Sequence, residues 1–120
     1  MPIDVLFVED EDDLRSVVVE ALTSQGFQVT PASNGDEALV LLRGDARFAV
    51  VVTDFNMPDS ADGLEVAAEA AVAQPQARVM LASGLQRSQL PPLPETVRFL
   101  PKPYRFRQLV TAIHEDLGCT

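Results

Sequence analysis

Short apolar runs alternate with amphipathic stretches along the whole chain. Residues 3–8 form a β-rich run that ends in the acidic cluster Glu9-Asp10-Glu11-Asp12-Asp13. Leu14, Val17, Val18, Ala21 and Leu22 then recur at helical spacing until Gly26 stops the helix. Residues 27–30 predict a second strand. Asn34-Gly35-Asp36 introduces a helix carrying Ala38, Leu41 and Leu42, closed by Gly44. Residues 48–53 read as a third strand, whose run Ala49-Val50-Val51-Val52 is apolar on both faces. An alanine-rich third helix is predicted over 63–73, ended before Pro75, and strands four and five over 77–82 and 97–100. Phe106, Leu109, Val110, Ile113 and Leu117 form the apolar stripe of a last helix. Between strands four and five another helix belongs, yet Pro91, Pro92 and Pro94 allow at most a turn or two of it.

Strands alternating with helices imply parallel βαβ units and a doubly wound α/β sheet covered on both faces. With 120 residues, no repeat and no linker, the chain is read as one domain spanning 1–120. In such sheets, ligands bind outside the carboxyl ends of the strands. Strand one ends in Glu9 and Asp10, strand three in Asp54, strand four in Ser83, and strand five runs into Lys102. Strand two ends in Pro31-Ala32-Ser33, with nothing obviously chemical. Three carboxylates, a hydroxyl and an ammonium are therefore expected on one rim.

Crowded carboxylates raise one another's pKa unless a cation intervenes. Mg²⁺ suits such a set, because it takes hard oxygen ligands and commonly bridges to phosphate. Lys102 adds a positive point charge and Ser83 a hydrogen-bond donor for an anionic oxygen. These parts describe a site for moving a phosphoryl group, with a carboxylate able to become an acyl phosphate. Taken singly, each acid suits a helix N-cap as well as a ligand: Asp12 or Asp13 for the first helix, Asp62 for the third.

Charge and composition narrow the classes further. Eighteen acids against nine bases give a formal net charge of −9. That argues against a non-specific nucleic-acid binder, which needs bases to neutralise phosphates. The lone Cys119 excludes a disulfide framework and reads as incidental. No apolar stretch approaches bilayer length, and the N-terminus lacks a basic leader region. A cytoplasmic protein is the expectation.

The motifs "VLFVEDEDDLR", "VVVTDFNMP…DG", "VMLASG" and "FLPKPY" stand in the order and spacing of response-regulator receiver domains, and the chain resembles that family from Ile3 to about Leu117. The resemblance implies a flavodoxin-like (βα)5 fold with a five-stranded parallel sheet in the order 2-1-3-4-5. It implies that Asp54 is the phosphoacceptor, that Asp10 ligates Mg²⁺ directly, and that Glu9 does so through a water. Asn56 would contribute a backbone carbonyl to the metal. Ser83 would turn towards the phosphoryl group, Lys102 would pair with it, and Phe99 would be the aromatic switch residue. The phosphodonor would be a sensor histidine kinase or a histidine phosphotransfer protein. Output would pass through protein–protein contact, with no direct nucleic acid and no membrane.

The sequence departs from the family pattern in three places. "DFNMPDSADG" carries one more residue between Pro58 and Asp62-Gly63 than the usual loop, beside the metal position. The stretch 84–96 is short and proline-rich, so the fourth helix is expected to be curtailed or irregular. No output domain follows the last helix, which reads as a stand-alone receiver, with a receiver excised from a hybrid histidine kinase as the other possibility. His114 beside Ile113 reads as a surface or boundary residue, and Phe99 suits a core position as well as a switch.

Two other functions compete. A Mg²⁺-dependent phosphatase with an aspartyl-phosphate intermediate resembles the haloacid dehalogenases, which use a second aspartate two residues on as general acid. That place holds Asn56, which cannot transfer a proton. A degenerate receiver acting as a docking scaffold is opposed by the presence of every matched site residue.

Overall fold

Consecutive residues of the first strand, β1 (Asp4–Val8), point alternately into two separate cores, and that alternation organises the fold. Val5 and Phe7 join one apolar cluster, Leu6 and Val8 the other. All four are essentially excluded from solvent in this computed structural model, which describes residues 2–118. The Cys119 reading lies outside the described residues.

The remaining elements follow in the expected order. They are α1 (Asp12–Ser24), β2 (Gln28–Ala32), α2 (Gly35–Arg43), β3 (Val50–Asp54), α3 (Gly63–Ala73), β4 (Arg78–Ser83), β5 (Val97–Pro101) and α4 (Phe106–Asp116). The sheet is wholly parallel, in the order β2-β1-β3-β4-β5. Val18 and Leu22 of α1 and Leu109, Ala112 and Ile113 of α4 cover one face, against Val50, Val52 and Met80. Ala38 and Leu42 of α2 and Val66, Ala67 and Ala70 of α3 cover the other, against Val51 and Val79. β3, in the middle of the sheet, is therefore buried on both sides, which fixes where Asp54 emerges.

Four expectations are corrected or sharpened. β2 runs on through Pro31 to Ala32. Proline is tolerated there because β2 is an edge strand, pairing only with β1. Neither Asp12 nor Asp13 caps α1: the cap is Glu11, with no side-chain bond, and both aspartates stand in the first turn. The helix starts one residue early because the Glu11 amide donates to the Glu9 carboxylate at 3.2 Å. The two aspartates still favour the positive end of the helix. Asp62 does cap α3, in a reciprocal capping box with Glu65. Between β4 and β5 only a 3-10 turn forms, Arg87–Gln89, so the described residues contain four α-helices and not five. No described helix is long and apolar enough to cross a membrane.

The extra residue of the 55–62 loop is absorbed away from the acidic rim. Asp59 takes a left-handed conformation, φ 65°, which aspartate tolerates better than most residues. Ser60 and Ala61 then dock on the start of α2. The Gly35 amide donates to Ser60 Oγ at 3.2 Å, and the Ala61 amide to Asp36 Oδ1 at 3.0 Å. A Cβ on Gly35 would run into the Ala61 carbonyl, so only glycine allows this approach. His114 lies at the core boundary, half-buried, its ring centroid 5.7 Å from that of Phe27.

Candidate functional site

Each strand of the sheet hands its last residues to the same edge. β1 delivers Glu9 and Asp10, and β3 delivers Asp54; carboxylate oxygens of all three lie within 4.8 Å of one another. β5 runs into Lys102, whose Nζ reaches Glu9 Oε1 at 2.7 Å and Asp54 Oδ1 at 3.2 Å. Backbone pairing sets that reach. The Lys102 amide donates to the Ser83 carbonyl at 2.8 Å, and the Phe55 amide to the Ala82 carbonyl at 2.9 Å, locking the three strand ends in register.

The three acids differ in environment. Glu9 is 2% exposed and Asp10 lies in solvent, while Asp54 sits between them with 12% of its side chain exposed. Burial pushes the Asp54 carboxyl up to about 6; Lys102 opposes this, and the charges of Glu9 and Asp10 add to it. Burial works against the Lys102 charge, but its bond to Glu9 and the Asp54 and Glu9 charges outweigh that and hold it above its ordinary value. A single ammonium therefore answers three carboxylates. The donor set is all hard oxygen with negative charge in excess, which fits a divalent cation such as Mg²⁺.

Ser83 is buried on the same rim, and its Oγ accepts the Leu85 amide at 3.0 Å, leaving the hydroxyl hydrogen free to donate. Asn56 is exposed just beyond β3, and among the described residues no hydrogen bond ends on its carbonyl. Phe99 is half-buried and belongs to neither core cluster, so the core reading of it fails. It lines a groove against α4 instead.

Two contributors were not singled out from the sequence. Arg15 donates to the Glu9 carbonyl at 2.9 Å and pairs with Asp12, bracing the exit of β1. Its place one turn into α1 gave no separate signal. Tyr104 follows the cis Lys102-Pro103 bond and flanks a cleft with Glu11, Leu14 and Lys102. Burial, with the Glu9 and Asp54 charges, pushes its hydroxyl above the usual value, so it stays a neutral donor.

Lys102→Met is expected to destabilise the metal-free protein by about 2 kcal/mol at pH 7, because Glu9 is then left buried without its cation. The loss falls short of that for a fully buried pair, since Lys102 is 21% exposed. Urea denaturation with and without Mg²⁺ checks it, and the added cation should recover much of the loss.

The family model for the response regulator receiver domain matches residues 5–114. The chain is 34% identical over 116 residues to the response regulator receiver protein CpdR of Brucella abortus, covering 94% of this chain and 95% of that one. It is 35% identical over 117 residues to the sensor kinase CckA of Brucella abortus, covering 94% of this chain but only 12% of the kinase. Among solved structures, response regulator TrrA of Thermotoga maritima, in complex with Mg²⁺ and BeF, superposes with a TM-score of 0.79 at 28% identity, over 94% of this chain and 97% of that one. The carboxylate rim, the strand order and these matches agree, and the chain belongs to the response regulator receiver domain family.

Proposed function

We propose that this chain is a phosphorylation-driven signalling switch whose acceptor is Asp54. The carrying observation is the convergence of Glu9, Asp10 and Asp54 oxygens within 4.8 Å, with Lys102 Nζ 3.2 Å from Asp54. One Asp54 carboxylate oxygen attacks the phosphorus of a phosphohistidine. The new P–O bond forms as the P–N bond breaks, and the imidazole leaves carrying the electron pair of that bond. Lys102, already turned to Asp54, is placed to exchange that contact for a phosphoryl oxygen, and Ser83 donates its hydroxyl hydrogen to another.

Glu9, Asp10, Asp54 and the Asn56 carbonyl are the groups that would hold Mg²⁺, which would neutralise charge on the phosphoryl oxygens. The donor is a sensor histidine kinase or a histidine phosphotransfer protein, a reading supported by the likeness to a segment of a sensor kinase. Output passes by protein contact as Ser83 and Phe99 rearrange between two states. Catalysis is limited to the chain's own phosphorylation and dephosphorylation, because Asn56 offers no proton where a phosphatase needs an acid.

The test is incubation with acetyl phosphate and Mg²⁺, followed by intact mass. One HPO₃ adduct per chain, mapped to the peptide containing Asp54 and absent with a chelator, is the expected result. Rapid turnover of unrelated phosphoesters, or no adduct at all, would sink the reading.

A further inference from the structure

Asp10 is the least constrained acid of the rim. Lys102 holds Glu9 and Asp54, and Glu9 also accepts the Glu11 amide. Asp10 is exposed, and among the described residues neither an amide nor a cation is bound to its carboxylate. Where that carboxylate lies is therefore set by the backbone that carries it. The bend at 9–11 leaves β1 through the Glu9 amide, which donates to the Ala32 carbonyl of β2 at 3.0 Å. Beyond that bond, Arg15 holds both sides of the bend. Its Nη1 donates to the Glu9 carbonyl at 2.9 Å, fixing the peptide plane that enters Asp10. Its amide donates to the Glu11 carbonyl at 2.9 Å. The second bond is ordinary helix; the first is not.

α1 itself does not ask for a cation at this place. Arg15 lies just past the first turn, at the end where the helix dipole disfavours positive charge. It also stands beside a rim whose excess of negative charge suits a divalent cation. A solvated arginine three residues from Asp12 would be a helix-surface pair of little energetic weight. This one is packed instead. Its side chain is 19% exposed, and its two terminal nitrogens are divided between Asp12 Oδ1 and the Glu9 carbonyl. A guanidinium is planar with donors at fixed angles, so anchoring one nitrogen on the helix aims the other at the exit of β1.

The geometry points to Arg15 as the positioning residue of the metal site: it holds the Glu9–Asp10 peptide so that the Asp10 carboxylate stays within reach of the Glu9 and Asp54 oxygens. The inference rests on reading that rim as a Mg²⁺ site. An arginine acting only through its charge would have the opposite effect. Taking a positive charge away from three carboxylates strengthens their hold on a divalent cation, whereas releasing the peptide weakens it.

The experiment is a Mg²⁺ titration of ¹⁵N-labelled wild-type protein, Arg15→Gln and Arg15→Lys, followed by the amide shifts of residues 9–11 and 54–56. Only resonances of the folded protein are read, so a loss of stability does not by itself change the dissociation constant. Arg15→Gln should bind Mg²⁺ about tenfold more weakly than wild type. Arg15→Lys keeps the charge but has no fork to span both acceptors, and should fall between the two. In metal-free Arg15→Gln, the shift changes should be largest at Asp10 and Glu11. Wild-type binding together with equal or tighter binding by Arg15→Gln would overturn the inference and leave the metal site standing. Asp10 and Glu11 amides that keep their wild-type shifts in metal-free Arg15→Gln would overturn it too. Wild-type rim amides that ignore Mg²⁺ would overturn the reading of the site, and this inference with it.

Discussion

Asp54→Asn is expected to abolish the phosphoryl adduct completely while making the metal-free protein more stable at neutral pH. The first effect follows because an amide oxygen is no nucleophile towards phosphorus and Asn cannot form an acyl phosphate. The second follows from the crowding of the rim. Burial, with Glu9 and Asp10 nearby, lifts the Asp54 carboxyl from 3.8 to about 6 in the folded chain. A raised carboxyl pKa means that the folded state holds the proton more tightly than the unfolded one. Stability contributed by that proton is whole below pH 3.8 and is lost as pH rises through about 6. Asn has no charge to desolvate, so the variant should gain about 1 to 2 kcal/mol above pH 7, discounted for the partial exposure of the site, and nothing near pH 3.5. Urea denaturation across that window reads the gain. Mg²⁺ should raise the stability of the wild-type protein more than that of the variant, which lacks one ligand. A variant that is less stable at pH 7, or a gain that persists below pH 4, would mean that Asp54 is not strained by its neighbours.

How far this site could be read from the chain depends on which interactions are local. The runs at Val5–Val8 and Val50–Val52 dictate buried strands, and a parallel sheet must place Glu9, Asp10, Asp54, Ser83 and Lys102 on one edge. The proline content of 91–94 already ruled out a full helix before β5. Contacts between segments distant in sequence were less accessible. That the loop at Asp59 turns left-handed and ties to Asp36 depends on α2 and α3 meeting, which no local pattern encodes. The bracing of Glu9 by Arg15 is a contact across six residues with no periodic signature. The start of α1 was misplaced because five consecutive acids make equally good caps by composition; the structure chooses Glu11 through an amide bond to Glu9. From the chain alone Phe99 suited a core position as well as a switch; in the structure it is half-buried, outside both core clusters, in a groove against α4.

Gly63→Val should cost about 4 kcal/mol or more, a loss that falls directly on the backbone beside Asp54. Gly63 opens α3 directly after the Asp62 cap, and its amide donates to the Phe55 carbonyl at 2.9 Å. Its backbone therefore lies against the end of β3. A Cβ there would collide with the Leu81 side chain, the Asp54 carbonyl oxygen and the Phe55 Cα. Leu81 is fully buried in β4, where its side chain has little room to move, and the other two obstacles are backbone at the end of β3 and just beyond it, which cannot give way. The displaced backbone would be that of Asp54, and the damage should extend to the site. In the fraction that remains folded, the carboxylate would shift relative to Lys102 and the other acids. Gly63→Ala should fall between wild type and valine, since it adds the offending carbon but no branches. Chemical denaturation gives the stability order, and amide shifts of Asp54 and Lys102 in the alanine variant report the displacement. A valine variant as stable as wild type would show that α3 can retreat from β3, and that the close approach is not what holds Asp54 in place.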